Sequence, residues 1–121
     1  MVTIKADIYF KEKRVGRLEI EEGKLKKNEC YAEWYDHPCS RSKNAFDVLD
    51  ILSERVIPPC RCDEWLLNKH GLKEYNTWDI FRITNGFNGA DSIWFKFDDD
   101  KEDLEYKDII LRWRNEKLQT K

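Results

Sequence analysis

Two adjacent prolines, Pro58 and Pro59, constrain the fold of this chain more than any other feature of its sequence. Proline lacks a backbone N–H and pushes the residue before it toward extended geometry, so a helix that reaches these residues must end near Val56. Two short amphipathic segments follow, 64–70 and 77–84, and both are predicted to be helices. The prolines therefore separate one helix from two shorter ones.

Local signals mark the ends of the two shorter helices. Asp63 is a good N-cap for the first, and Gly71 supplies the left-handed residue that stops it. Asn76, with Asp79 three residues later, resembles a capping box at the start of the second, and Gly86 ends it.

Alternation of apolar and polar residues predicts strands at 3–10, 14–20 and 25–34, which short polar turns join into an antiparallel meander. A fourth strand is predicted at 91–97, after a loop rich in asparagine and glycine. The residues expected on one face are Ile4, Ala6 and Ile8 in the first strand and Ile93, Phe95 and Phe97 in the last, with Trp94 and Lys96 on the opposite face.

Two further helices complete the pattern, one at 44–55 with Ser40 or Ser42 as its cap, and one at 104–119. The apolar residues expected to face the core are Phe46, Leu49, Ile51, Leu52 and Val56 in the first and Tyr106, Ile109, Ile110 and Trp113 in the second. Both sets are broad enough to pack against a sheet.

These elements predict a single α+β domain over residues 1–121, a small antiparallel sheet packed against about four short helices. Its predicted parts are a β-meander at 3–34, a helical segment at 42–86, the strand at 91–97 and a C-terminal helix at 103–119.

The charge balance bears on the kind of partner. The chain has 24 acidic and 22 basic residues, which leaves a net charge of −2. A general nucleic-acid coat needs a clear basic excess, so direct nucleic-acid binding is not expected. No apolar run approaches the roughly 20 residues of a membrane span, and the first residues lack the layout of a signal peptide. We therefore expect no membrane contact and a cytoplasmic location.

The cysteines raise the question of a metal site. Paired ligands of structural zinc sites usually have about two to four residues between them. The weak candidates are Cys60 with Cys62, which a single residue separates, and His37 with Cys39, which Pro38 kinks. This spacing favours reduced, part-buried thiols over a zinc site or a disulfide framework.

Other reactive groups lack their usual companions. A cysteine nucleophile needs a nearby base, and nothing in the spacing singles out His37 or His70. The carboxylates at 98–100 could hold magnesium, but no phosphate-binding loop accompanies them. The segment 86–89 lacks the lysine and the following helix of a P-loop. We therefore expect no catalytic residue and no cofactor.

The chain carries a series of short motifs in a recognisable order. They are Val15-Gly16-Arg17-Leu18, Tyr31 to Trp34, Leu52 to Pro58, Leu66 to Leu72, and Gly86 to Ala90 before Trp94. This order resembles the small N-terminal subdomain of HipA-type serine/threonine kinases and covers residues 4–97. The resemblance implies a non-enzymatic regulatory module, because the kinase apparatus belongs to a later region of that family. It also implies a partner in a toxin–antitoxin system, either a separately encoded HipA-like kinase core that the module restrains or its helix-turn-helix repressor.

Two alternatives from other classes remain open. One is a phage or mobile-element inhibitor that binds a host defence protein or nuclease, with the acidic loop 98–103 imitating nucleic acid. The other is a small metal- or cysteine-dependent enzyme that uses Cys60, Cys62 or His70.

A partner-binding surface is predicted around the double proline. Tryptophan, tyrosine and arginine concentrate at interface hot spots. Arg55 and Arg61, expected to be exposed, together with Trp34 and Tyr35, are therefore the residues predicted to contact a partner.

Overall fold

The structure is a computed structural model that describes residues 3–32, 37–56, 64–89, 91–100 and 103–119, without the side chains at 64–66 and 116–119. Its elements in chain order are β1 Ile4–Phe10, β2 Lys13–Glu21, β3 Lys24–Cys30, α1 Ala45–Ser53, α2 Glu64–Lys69, α3 Thr77–Ile83, β4 Ile93–Phe97 and α4 Tyr106–Gln119. The predicted α+β class, an antiparallel sheet with short helices, is confirmed. Within the described residues, no helix combines the length and the apolar composition that crossing a membrane requires.

The sheet is antiparallel and has the order β3-β2-β1-β4, so β1 and β2 are its central strands. Ile4, Ala6 and Ile8 of β1 are buried on one face, as the alternation predicts. The third strand is shorter than predicted, because β3 ends at Cys30. Residues 33–36, where that strand was expected to continue, lie outside the described ranges.

The main core lies between one face of the sheet and the first three helices. Its most deeply buried members are Ile8, Leu18 and Ile20 from the central strands, Ile93 and Phe95 from β4, Val48 and Leu52 from α1, and Ile80 and Phe81 from α3. Each such side chain contributes about 1.5–3 kcal/mol when it is fully buried. Apolar burial on this face therefore dominates the stability of the fold.

α1 is capped by a different residue from the one predicted. The Asn44 side-chain oxygen accepts a hydrogen bond from the Asp47 N–H at 2.9 Å, so Asn44 is the N-cap. Ser40 and Ser42 lie in the preceding turn, where their backbone N–H groups donate to the carbonyls of His37 and Cys39. The predicted serine caps are therefore wrong.

One side chain of α1 was also assigned to the wrong face. Phe46, expected in the core, is 78% exposed. The buried side chains of the helix are Ala45, Val48 and Leu52, and their spacing turns Phe46 toward solvent. A phenylalanine next to the core-facing residues satisfies a broad apolar pattern without being buried.

α2 and α3 agree with the predicted helices to within one residue at each end. The Asn76 side chain accepts hydrogen bonds from the backbone of Trp78 and Asp79 at 3.0 and 3.2 Å, which confirms the predicted cap. Gly71 and Gly86 follow the two helices with φ of +73° and +67°, the left-handed conformation that glycine adopts without strain.

A second apolar cluster lies on the opposite face of the sheet, at the β4 end. Trp94 is 1% exposed there and stacks on Tyr9 with ring centroids 4.7 Å apart. α4 covers these rings, with Ile109 buried against them. The predicted apolar face of the C-terminal helix, formed by Tyr106, Ile109, Ile110 and Trp113, is the face that packs on this cluster.

Candidate functional site

Of the four residues predicted to contact a partner, only one is described. Trp34, Tyr35 and Arg61 lie outside the described ranges. Arg55 lies just after α1, and its surroundings overturn the expectation that it is exposed.

Arg55 is buried, with its side chain 7% exposed. Its Nε donates to the Gly86 carbonyl at 2.9 Å, both terminal nitrogens donate to the Asp91 carboxylate at 2.9 Å, and Nη2 also donates to the Ile93 carbonyl at 3.1 Å. A charge this far from solvent persists only when it is paired and hydrogen-bonded. Hydrogen bonds from this guanidinium hold the pKa of Asp91 below its usual range. The predicted exposure of Arg55 is therefore wrong, because the side chain is an internal clamp.

Arg55 is one of three groups that close the outer edge of β4. The Phe95 N–H donates to the Asn85 carbonyl at 2.7 Å, and the Asn85 side-chain amide donates back to the Phe95 carbonyl at 2.9 Å. The Phe97 N–H donates to the Asp100 carboxylate at 2.9 Å. An open sheet edge invites pairing with another strand. These contacts occupy the edge of β4, so strand addition there is disfavoured.

The metal candidates that the structure describes are interior. His37 is 1% exposed; its Nε2 lies 3.0 Å from the Glu29 carbonyl, and its Nδ1 lies 3.2 Å from the Cys39 N–H. A carbonyl only accepts and an N–H only donates, so the ring is neutral with its proton on Nε2. The ring also packs on Gly16, where an added Cβ would lie 2.5 Å from a ring carbon. Both nitrogens of His37 are therefore occupied by the fold.

Cys39 is completely buried, and burial raises the pKa of its thiol to about 12. A thiol held protonated is a poor ligand and a poor nucleophile. Cys60 and Cys62 lie outside the described ranges. In the described part of the chain, no group of three or more histidine, cysteine, aspartate or glutamate residues is placed to hold a metal ion.

The acidic run after β4 is exposed to solvent and ion-paired, since the side chains of Asp98, Asp99 and Asp103 are 48%, 71% and 90% exposed. The ion pairs join Asp98 to Arg17, Asp99 to Arg82 and Asp103 to Lys96. Hydrogen bonds from Arg17 lower the pKa of Asp98, whereas burial raises the pKa of Asp100, which accepts from the backbone of Phe97. Exposed ion pairs contribute little to stability, so Asp100, which is half-buried and accepts from the Phe97 N–H, is the carboxylate of this run that ties the turn to β4.

The part of this second sheet face that α4 does not cover, which we call the open sheet face, carries an alternating pattern of charge. Residues that lie side by side on neighbouring strands form two rows across the sheet, each running from the β4 side to β3. The first row is Lys96, Asp7, Arg17 and Glu29, and the second is Asp98, Lys5, Glu19 and Lys27. Arg17 is the centre of the pattern, with ion pairs to Asp7 at 3.2 Å and Glu19 at 3.0 Å in addition to Asp98. Opposite charges across strands stabilise a sheet modestly. Within these two rows every charge faces its opposite, and Arg14 adds a further ion pair to Asp7 at 2.8 Å, so the face alternates in sign and forms no single-sign patch of the kind that attracts a nucleic acid.

An open cleft of about 260 Å³ lies between α4 and the segment that leads into β4, and we call it the α4 cleft. Its lining residues are Phe87, Gly89, Asp91, Ser92, Tyr106, Ile110, Trp113 and Arg114. Tyr106, Ile110, Trp113 and Arg114 share one face of α4 because they recur at helical spacing. The cleft is therefore the part of the α4 packing face that the sheet does not cover.

Close packing shapes one wall of the α4 cleft. The rings of Phe87 and Trp113 meet edge to face with centroids 5.9 Å apart. An added Cβ at Gly89 would lie 2.3 Å from the Trp113 ring, so only glycine lets this segment approach the helix. On the opposite side, the Tyr106 hydroxyl lies 3.5 Å from the Ser92 hydroxyl. The aromatic wall is thus held in place from both sides.

The lining of the α4 cleft offers several groups that can bind a partner. They are aromatic faces, two hydroxyls and the guanidinium of Arg114. The lining carboxylate, Asp91, is engaged by Arg55 and is not available as a base. Among the lining residues, no histidine and no free carboxylate accompanies the Ser92 and Tyr106 hydroxyls as a base. A neighbouring hollow of about 20 Å³ has room for little more than one water molecule.

Sequence reasoning did not predict the α4 cleft. The spacing of Tyr106, Ile110 and Trp113 predicts a packing face, and these side chains do pack, but each remains partly exposed. Periodicity identifies which residues share a face and not how completely a neighbour covers them. Comparison with protein-family models, curated proteins and solved structures found no match for the chain.

Proposed function

We propose that this chain is a non-enzymatic, cytoplasmic protein-binding module and that it contacts its partner through the α4 cleft. The composition of the cleft carries this conclusion. Phe87, Tyr106, Trp113 and Arg114 line it, and such aromatic and arginine side chains are the ones that anchor protein interfaces. Leu111, 60% exposed on the same helix, neighbours Arg114 at the i, i+3 spacing.

The motif order shared with the N-terminal subdomain of HipA-type kinases suggests the partner. On that resemblance, the partner is a HipA-like kinase core or its helix-turn-helix repressor, and the module restrains the partner by steric or conformational contact. Trp34, Tyr35 and Arg61 stay predicted contacts, whereas Arg55 supports the cleft from inside through Asp91. No cofactor is part of this mechanism.

The acidic-mimic alternative is less well supported than the binding cleft. Mimicry of a nucleic acid needs carboxylates that face outward without internal partners. Each described carboxylate of the acidic run has a partner within the chain, Arg17 for Asp98, Arg82 for Asp99, the Phe97 N–H for Asp100 and Lys96 for Asp103, although Asp99 and Asp103 stay 71% and 90% exposed.

Calorimetric titration of the purified chain with a HipA-type kinase core, and separately with the repressor, tests the proposed function. We expect one of them to bind and ATP to produce no heat with the isolated chain. Arg114→Glu and Leu111→Glu should weaken binding about tenfold or more, because both alter exposed side chains on α4. Lys26→Glu, an exposed charge reversal on the far edge strand β3, is the matched control. ATP binding, or equal loss of affinity in all three variants, would contradict the proposal.

A further inference from the structure

β3 forms the edge of the sheet that lies opposite β4, and its outer side carries backbone groups that can pair with a further strand. The Tyr31 N–H donates to the Val15 carbonyl of β2 at 2.8 Å. Backbone groups of successive strand residues point to alternate sides, so the N–H and the C=O of Asn28 point away from β2. Within the described residues, neither group has a hydrogen-bond partner. A donor and an acceptor for a further strand therefore lie on this edge.

The two edges of the sheet differ in how their backbone is covered. At β4, the side chains of Arg55, Asn85 and Asp100 bond to backbone groups of the strand. At β3, the Asn28 side chain donates instead to two carbonyls of the turn at 37–42, at 2.8 and 3.2 Å, and leaves its own backbone unpaired. An uncovered strand edge is the place where an extended peptide can add to a sheet.

The charge along the same edge is mainly positive. Residues 22–28 contain three lysines and one glutamate. Lys24 and Lys26 are exposed and form no ion pair with a described residue, whereas Lys27 is paired on the open sheet face. Lys43, which is also exposed without an ion pair to a described residue, comes directly after the turn at 37–42. More positive than negative charge is therefore left unpaired along β3.

From the unpaired backbone and the unpaired lysines we infer a second docking surface, the β3 edge, formed by residues 24–30. It accepts an extended segment of a partner protein that carries aspartate or glutamate at alternate positions, and this segment becomes a fifth strand. Backbone hydrogen bonds hold the segment, and the lysines select its charge. The seven residues of β3 span about 23 Å, which matches a segment of similar length. The inference goes beyond the proposed function, because β3 and the α4 cleft lie at opposite edges of the sheet.

A second copy of this chain is a poorer occupant of the β3 edge. Antiparallel pairing of two β3 strands would bring the lysines at 24, 26 and 27 of both copies close together. Like charges on neighbouring strands are destabilising, and lysine on an edge strand commonly prevents such pairing. The lysines that repel a second copy attract an acidic strand, so they make the edge selective.

Three heptapeptides test the β3 edge on the full chain. They are the acidic EVETEVE, its basic counterpart KVKTKVK, and EPETEPE, which keeps the charge while its prolines remove two N–H groups and oppose strand formation. Amide signals of the ¹⁵N-labelled chain report binding. We expect EVETEVE to bind at least about tenfold more tightly than either other peptide and to shift the signals of Lys26 and Asn28. At saturation, exchange of the Asn28 N–H with solvent should slow about tenfold or more, because a hydrogen bond then covers it.

Two charge reversals at opposite edges of the sheet separate recognition at β3 from general attraction. Lys26→Glu should weaken EVETEVE about threefold or more, because an attraction becomes a repulsion. Arg114→Glu, which reverses an exposed cation on α4, should leave the affinity for EVETEVE unchanged.

Several outcomes would overturn the inference. Absence of EVETEVE binding at about 1 mM would show that the lysines only guard the edge. Equal binding of EPETEPE, or unchanged exchange of the Asn28 N–H at saturation, would show charge attraction without strand pairing. Self-association that protects the Asn28 N–H would assign the edge to a second copy. Failure here is distinct from failure of the proposed function, whose titration depends on Arg114 and not on Lys26.

Discussion

Replacing Arg55 with methionine tests how far the fold depends on one buried guanidinium. Methionine keeps the apolar stem and removes every charge-assisted hydrogen bond that the guanidinium makes to Gly86, Asp91 and Ile93. The substitution therefore changes polar contacts without opening a large cavity.

The expected cost follows from what the substitution leaves behind. The carbonyls of Gly86 and Ile93 lose the Arg55 donor in a buried setting, at about 1–3 kcal/mol each. Asp91 is 39% exposed, so water replaces part of its lost partner, and we assign no more than about 1 kcal/mol to that pair. Relief of the buried charge and the extra apolar packing of methionine offset part of the total. We expect a net loss of about 3 kcal/mol.

Urea unfolding followed by tryptophan fluorescence at pH 7 measures this loss. With a slope of about 1–3 kcal/mol per molar urea, the midpoint should fall by about 1 M or more. The matched control is Arg82→Met, which breaks an ion pair to Asp99 whose two side chains are 41% and 71% exposed. That control should cost less than about 1 kcal/mol. Equal midpoints for the two variants would refute the assignment of Arg55 as an internal clamp.

The ion pair between Arg55 and Asp91 makes the free energy of unfolding depend on pH. Because the pKa of Asp91 is lowered in the folded protein, its carboxylate stabilises the fold above the unfolded-state pKa of about 3.9, and this stabilisation is lost as pH falls through the lower folded value. The difference in unfolding free energy between the wild type and Asp91→Asn should therefore be constant from about pH 7 to 5. It should shrink below about pH 4, and a difference that grows there would contradict the ion pair.

Further predictions concern single positions. Ellman's reagent should label equal numbers of thiols in native wild type and native Cys39→Ala, because Cys39 is buried. After unfolding, the wild type should have one more reactive thiol than Cys39→Ala. Labelling of Cys39 in the native state would contradict its burial. Gly86→Ala should cost about 2–4 kcal/mol in urea unfolding, because φ is +67° and the new Cβ would lie 2.4 Å from the Phe95 ring; an unchanged midpoint would contradict this contact. Phe46→Ser should change stability by less than about 0.5 kcal/mol, and a loss above about 2 kcal/mol would place Phe46 in the core.

The parts of the fold that the sequence predicts are those with local causes. Alternation along β1 identifies its buried face, and Asn76 caps α3 by accepting hydrogen bonds from the residues two and three positions later. Gly71 and Gly86 end helices because the left-handed conformation follows from the absence of a side chain. Each of these signals acts within a few residues and is read without knowledge of the fold.

The features that the sequence predicts wrongly or not at all depend on contacts between residues far apart in the chain. Arg55 finds Asp91 36 residues later, so nothing near it in the sequence shows that it is buried. The alternating charges on the open sheet face depend on strand register, which β-bulges shift in two of the strand pairs. The α4 cleft depends on how closely the segment at Gly89 approaches Trp113. Sequence patterns of one chain carry no direct record of such distances.

Mapping the surface that a HipA-type kinase core contacts tests protein binding through the α4 cleft most directly. In a titration of the ¹⁵N-labelled chain with unlabelled kinase core, we expect the amide signals of Ser92, Tyr106, Ile110 and Arg114 to shift or broaden, with those of β3 unchanged. Binding through the α4 cleft would be contradicted by saturable binding in which only amide signals of β3 or of the open sheet face change. The absence of any signal change at saturating kinase core would contradict it as well.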